Sequence, residues 1–191
     1  MKVVSYRHHG QPGIGVVTGA KGLIALSKAA PDLPGDLRKI LEIDPTLEKV
    51  RAATAGKSAD FSLDDIAFDP VIREPHATWA LALNYKLHIE ETGLTTSQTY
   101  PQIFLRMPIS QVGHRQPLWA PRKSIAEAYD YEGELAVIMA SRAATSSAQR
   151  PSIMSPAIPA TTKARCANIR ATTGNSVWAR ISSAPAVSGH G

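Results

Sequence analysis

Two acids separated by one residue, Glu132 and Glu134, lie in the run Asp130–Val137 (DYEGELAV). The run alternates as a strand does, and strand side chains repeat every two residues, so both carboxylates fall on one face. Side by side without a cation they repel, and one pKa rises. A hard divalent ion such as Mg²⁺ or Ca²⁺ resolves the conflict, because such ions prefer oxygen ligands. Leu135, Val137 and Ile138 alongside suggest a buried strand, where unpaired acids are costly. Read alone, the pair fits two solvated acids on a strand edge better. A second group is His88-Ile89-Glu90-Glu91. Residues three apart are neighbours on a helical turn, which lets His88 and Glu91 make a His–carboxylate dyad able to activate a water. An exposed helix start with ordinary acids fits those four residues too.

The elements that must hold these groups are legible in outline. Met1–Tyr6, Ile14–Thr18 and Leu23–Leu26 read as strands around Gly/Pro-punctuated turns. Gly35-Asp36 opens a helix with apolar positions at Leu37, Ile40 and Leu41, and Leu47–Ala55 reads as a second, closed by Gly56. Phe61–Asp69, Trp79–Asn84 and Tyr131–Met139 read as further strands. Between the last two runs an irregular stretch carries prolines at 101, 108, 117 and 121. The expected organisation is a small β-rich domain with two helices over 1–74, part of a second domain over 75–138, and a tail over 139–191. The fold class is α+β, mainly β. Two motifs fail on spacing: Gly13, Gly15 and Gly19 miss the dinucleotide fingerprint, and Gly56-Lys57-Ser58 lacks the first glycine of a phosphate loop.

Bulk properties narrow the function. At 191 residues and 43% hydrophobic, the chain can bury a sizeable core. No stretch nears the roughly 20 apolar residues that span a bilayer, and Met1–Tyr6 lacks a signal-peptide core. One cysteine, Cys166, excludes an internal disulfide framework. A cytoplasmic setting is expected, with no membrane partner. The net charge of +5 is unevenly spread. Before residue 139 there are 15 basic and 16 acidic residues, a net −1; from 139 onward there are six basic and no acidic residues, a net +6. The body is near neutral, which disfavours nucleic acid as a partner.

Taken in order, Ala82–Gly93 (ALNYKLHIEETG), the PQIF segment and DYEGELAVI resemble the fumarylacetoacetate hydrolase family over residues 79–138. In that family the first segment reads approximately GLNYxxHxxE and the second DYExEL. The resemblance implies a β-roll of mixed sheets around a metal-centred cleft, here incomplete, preceded by a smaller N-terminal domain. It implies hydrolysis of C–C bonds in β-diketo or acylpyruvate acids; relatives decarboxylate or isomerise such dicarbonyls, and ureidoglycolate lyases also occur. By position, Glu132 and Glu134 become metal ligands, for Mg²⁺ first and Mn²⁺ or Ca²⁺ as alternatives. His88 becomes the base, with Glu91 its partner. Arg106, where members often have Lys, and Tyr85 become substrate contacts for a small dicarbonyl acid. Tyr131 is expected to pack. Members are commonly homodimers, an assembly in doubt for this chain. His8, His9, His76, His114 and His190 lack partners at useful spacing and read as surface or core residues.

The resemblance stops where the acids stop. The family's later acidic ligand and lysine have no counterpart in 139–191, where Ala (12) and Ser (9) make up 21 of 53 residues and no period persists. Plausible codons for Ser155–Gly189, read in a shifted frame, allow strings such as YNEGSVREY and GKNF that resemble the missing segment. The tail therefore reads as out of frame from near Met139. Coil is expected from about residue 141, with an exposed sheet edge and core in the body and weak or absent activity. Two other readings compete: a non-catalytic fragment that binds through its basic tail, and a nucleic-acid-binding domain.

Overall fold

The computed structural model describes residues 1–83, 85–86, 89–90, 100–118, 129–140, 160–166 and 178–182; for 129–134, 160–166 and 178–182 it gives the backbone path. It is mainly β with short helices. Strands β1 (Lys2–His8) and β2 (Gln11–Thr18) pair antiparallel, with His8 opposite Gln11. The two residues between them, His9 and Gly10, have φ of 49° and 78°. That is the geometry of a two-residue hairpin turn, whose twist matches the strands it joins. Strand β3 (Gly22–Ala25) follows and leads directly into the one-turn helix α1 (Leu26–Ala29). Helices α2 (Leu37–Ile43) and α3 (Glu48–Thr54) come next.

The starts of α2 and α3 are each fixed by an aspartate. Asp36 accepts the Lys39 N–H at 3.2 Å and caps α2. The buried Asp44 accepts N–H groups of Glu48, Lys49 and Val50 at 2.9, 2.9 and 3.3 Å. Three charge-assisted bonds offset the cost of burying that carboxylate and satisfy donors the first turn of α3 leaves open. The expected strand over Phe61–Asp69 is instead two short strands, β4 (Phe61–Ser62) and β5 (Ala67–Phe68). Asp65 breaks the run by accepting the Ser62 N–H at 3.2 Å, and Ser62 Oγ accepts the Asp64 N–H, local bonds that favour a turn.

These strands form one sheet in the order β4-β3-β2-β1-β5. Both faces are covered. On one, Ile14 and Val16 of β2 pack with Leu26, Leu37, Ile40 and Val50. On the other, Val4, Tyr6 and Leu23 are buried against Phe61 and Phe68. Arg73 fastens the segment leaving the sheet. Its guanidinium pairs with Asp69 at 2.8 Å and donates to carbonyls of Tyr6, Gly13 and Gly35.

Beyond residue 75, β6 (Trp79–Ala82) and β7 (Gln102–Leu105) make a separate antiparallel pair. Strand β7 falls in the stretch expected to be irregular, because its prolines flank the strand rather than interrupt it. A single 3-10 turn, Pro108–Ser110, leads to β8 (Gln111–Val112). A four-stranded sheet has the order β8-β11-β10-β9, with β9 spanning Tyr129–Leu135. Its members β10 (Ala160–Cys166) and β11 (Trp178–Ser182) lie in the segment expected to be coil from about residue 141. Of that segment the structure describes these two stretches, with β10 pairing β9 along seven residue pairs; the rest of the expectation lies outside the described residues. Among the described residues, no helix is long and apolar enough to cross a membrane.

The two parts of the chain meet at Gly113. A Cβ there would lie 1.7 Å from the Phe68 carbonyl oxygen. Beside it the His114 ring stands edge-on to Phe68 at 5.2 Å, and Arg115 lies 3.9 Å from Asp64. Gly113→Ala is therefore expected to cost about 2 kcal/mol or more, since backbone must move. Gly35→Ala, where a Cβ meets nothing within 4 Å, is expected to stay within about 0.5 kcal/mol of the parent. Urea unfolding midpoints of the two variants check the contrast.

A second prediction concerns Asp60. Its carboxyl accepts the Ala25 N–H at 2.8 Å and pairs with Lys28 at 3.0 Å. The Ala25 bond, foremost, holds its pKa below the ordinary carboxylate value; burial opposes this, and Lys28 and Lys57 add to it. The folded pKa being the lower, this stabilisation is complete above the unfolded value of about 3.9 and is lost as pH falls through the folded value. Asp60→Asn is expected to lower the urea midpoint at neutral pH, with the gap from the parent closing on acidification below about pH 4.

Candidate metal centre

Strand β9 carries Glu132 and Glu134 at alternate positions, which share one face of a strand. Asp130 shares that face by the same period. The alternation Asp130, Glu132, Glu134 in the sequence carries this signal. The register with β10 sets Glu132 opposite Lys163, Asp130 opposite Arg165 and Glu134 opposite Thr161. Directly opposed residues of an antiparallel pair share a face. The acidic row thus faces two basic positions of the tail, and Glu134 is the acid with no basic residue opposite it.

His88 and Glu91 lie outside the described residues, so the expected dyad has no described geometry. The residues flanking His88 do. The Ile89 N–H donates to the Tyr85 carbonyl at 3.1 Å. The Tyr85 hydroxyl accepts the Leu135 N–H at 3.2 Å, one residue beyond Glu134. Tyr85, expected to contact substrate, is therefore also a link between Ile89 and the end of β9. That link is invisible in sequence, since it joins residues 50 positions apart.

Arg106, the other expected substrate contact, is buried at 5% exposure just beyond β7. Its N–H donates to the Thr78 carbonyl at 2.8 Å, continuing the β6–β7 ladder. Its guanidinium donates to Ser110 Oγ at 3.1 Å, and that hydroxyl in turn donates to the Met107 carbonyl at 2.7 Å. The side chain is thus tied to the turn before β8.

The remaining described histidines have partners that spacing did not reveal. His8 stacks on Phe61 at 4.0 Å and leans on His9 at 4.2 Å. His76 contacts Arg38 at 3.0 Å and Glu42 at 3.5 Å. Burial, and then Arg115, lowers the pKa of His114. None of these joins a cluster: among the described residues no three His, Cys, Asp or Glu side chains are grouped to hold a metal. The donor set of β9, oxygen-only and doubly anionic at Glu132 and Glu134, has the chemistry that hard divalent ions require.

Comparisons with known proteins give the following similarities. Residues 77–152 match the family model described as fumarylacetoacetate (FAA) hydrolase C-terminal. A crystal structure from Mycobacterium smegmatis, described as an HpcE protein, superposes with a TM-score of 0.55 at 25% identity, covering 71% of this chain and 46% of that one. Uncharacterized proteins of Staphylococcus aureus strains USA300 and COL are each 32% identical over 92 residues, 47% of this chain and 30% of theirs. Residues 77–152 are thus similar to the C-terminal part of fumarylacetoacetate hydrolase family proteins. The chain spans 30% of the length of the curated relatives it matches.

Proposed function

We propose that the chain carries part of the active site of a metal-dependent hydrolase that cleaves C–C bonds in β-diketo or acylpyruvate-type acids. The observation that carries this reading is the pair Glu132 and Glu134 at alternate positions of β9, inside the segment matched to the family. Glu132 and Glu134 are the residues that would hold a divalent ion, with Mg²⁺ foremost and Mn²⁺ or Ca²⁺ as alternatives. When bound, the ion supplies Lewis-acid polarisation of a dicarbonyl and charge stabilisation of the departing enolate. His88 takes a proton from water at an imidazole nitrogen, which makes that water the nucleophile at the adjacent carbonyl. Glu91 accepts from the other imidazole nitrogen and raises its basicity. Arg106, a fixed cation, and Tyr85 contribute binding of the acid substrate. Decarboxylation or isomerisation of related dicarbonyls, or a ureidoglycolate lyase reaction, would use the same ion-binding face.

Mn²⁺ titration of the 191-residue chain, followed by calorimetry, tests the assignment. Glu132→Gln and Glu134→Gln are each expected to weaken binding by about 100-fold or more, since each removes a ligand. His88→Ala is expected to leave Mn²⁺ affinity within about threefold while lowering acylpyruvate hydrolysis by about 10²–10⁴. Equal Mn²⁺ affinity in the parent and both glutamate variants sinks the metal centre.

One observation favours a second reading, a non-catalytic chain whose basic tail neutralises its own acids. In the β9–β10 register, Lys163 stands opposite Glu132 and Arg165 opposite Asp130. Cross-strand pairs of opposite charge are favourable, and a lysine on Glu132 competes with a cation there. On this reading Lys163→Ala raises Mn²⁺ affinity by several-fold; on the first, the affinity is unchanged. The out-of-frame reading of residues 139–191 is tested separately by the nucleotide sequence beyond the Ile138 codon. Stops in the shifted frame, or absence of the family strings, defeat it.

A further inference from the structure

We infer that Tyr85 is a positioning residue for the metal-binding strand, acting through its hydroxyl on the backbone of β9. This rests on the metal reading of Glu132 and Glu134 given above. Among the described residues, β9 has one neighbouring strand in the sheet, β10, and no strand on its other edge. In an antiparallel pair, successive N–H groups point alternately toward the partner and away from it. Leu135 is opposite Ala160 in the ladder, yet its N–H goes to the Tyr85 hydroxyl at 3.2 Å, on the open side. By the same alternation, the N–H groups of Tyr131 and Gly133 also face the open side. Those of Glu132 and Glu134 point toward β10. Tyr85 therefore takes the last donor of the open row, at the end of the strand where Glu134 sits.

The consequence concerns register. A strand paired on one side, with acids at alternate positions and a glycine at 133, can slip, and a shift of one residue turns every side chain to the other face. For β9 such a slip would carry both glutamates to the opposite face. The Tyr85 bond opposes it from a second direction. Tyr85 is itself anchored by its own carbonyl, which accepts the Ile89 N–H. The residue thus couples Ile89 to the strand bearing the acids. A hydroxyl that accepts from Leu135 keeps its own proton to donate, so this role is compatible with the substrate contact proposed for the same side chain.

The test is Tyr85→Phe in the full 191-residue chain, which keeps the ring and removes only the hydroxyl. Two readouts are taken: amide exchange at Leu135 and Mn²⁺ affinity. The expected result is faster exchange at Leu135 together with Mn²⁺ binding about tenfold weaker, the size seen when a group supporting metal ligands is lost. An unaltered urea midpoint would show that the change is local. Unchanged Leu135 exchange overturns the inference whatever the metal result. Faster exchange with unchanged Mn²⁺ affinity overturns it as well, because a merely structural bond would behave that way. A parent chain that binds no Mn²⁺ defeats the metal reading and, with it, the positioning role; faster exchange at Leu135 would then report only a strand contact.

Discussion

Two carboxylates on alternate positions of a strand stand about 6–7 Å apart, and on the proposed reading their repulsion is the constraint a bound cation would relieve. At an effective dielectric of about 20 the pair costs roughly 2–3 kcal/mol, and in bulk water well under 1 kcal/mol. A wet strand edge tolerates that; a cleft wall does not, and there a positive charge must come from somewhere. The register of β9 offers two sources. A divalent ion can bridge Glu132 and Glu134, or Lys163 can lie across from Glu132. The second answer leaves Glu134 opposite Thr161, so half the repulsive pair stays without a cation. A divalent ion answers both carboxylates at once, which is the physical argument for preferring it.

Much of the rest of the structure serves to hold one end of that arrangement. The five-stranded sheet is buried on both faces, and Asp44, Asp36 and Asp60 spend their charges on backbone donors, not on chemistry. Arg73 and Asp69 then lock the exit from this sheet, and Gly113 brings the approach to β8 against Phe68. A chain fixed at Phe68 and again at Gly113 restricts where the β6–β7 pair between them can travel. The N-terminal unit thus works as a footing, and its titratable groups are absorbed in structure.

What the sequence revealed follows the range of the forces concerned. Strands β1, β2 and β3, helices α2 and α3, and the acid-bearing strand β9 were legible because period, capping aspartates and turn glycines act over a few residues. The break at Asp65, where a run of apolar residues yields to local bonds from Ser62 and Asp65, was not: hydrophobic periodicity alone does not weigh side-chain-to-backbone competition. Strand β7 was missed because its flanking prolines looked like interruptions. The acids Glu132 and Glu134 were legible from alternation, as Asp130 should have been. Tyr85 on Leu135, Gly113 on Phe68 and the pairing of β10 with β9 were not legible, since each depends on segments meeting across long stretches of chain. In the tail, composition argued for coil, yet strand pairing asks only for backbone donors and acceptors, which any sequence without proline supplies.

The β6–β7 pair shows where stability is thinnest. Trp79 faces Leu105 and Leu81 faces Ile103 across the ladder, and cross-strand pairs of this kind share a face. All four are exposed, Trp79 at 66% and Leu105 at 61%, while Ala80 between them is buried. An apolar row of this size in water forgoes the burial that would stabilise it, at roughly 25 cal/mol per Å². A two-stranded pair is marginal on its own. It persists here through Arg106, whose backbone extends the ladder to Thr78 and whose guanidinium ties it to Ser110. In the Mycobacterium smegmatis structure more than half of the chain lies outside the matched region, so that fold has further surface with which to cover such a row. For the described residues of this chain, the free energy of opening should therefore be lowest at β6–β7 and highest in the five-stranded sheet. The candidate site lies on neither of these but on β9, where contacts like Tyr85 on Leu135 restrict backbone motion without adding buried area.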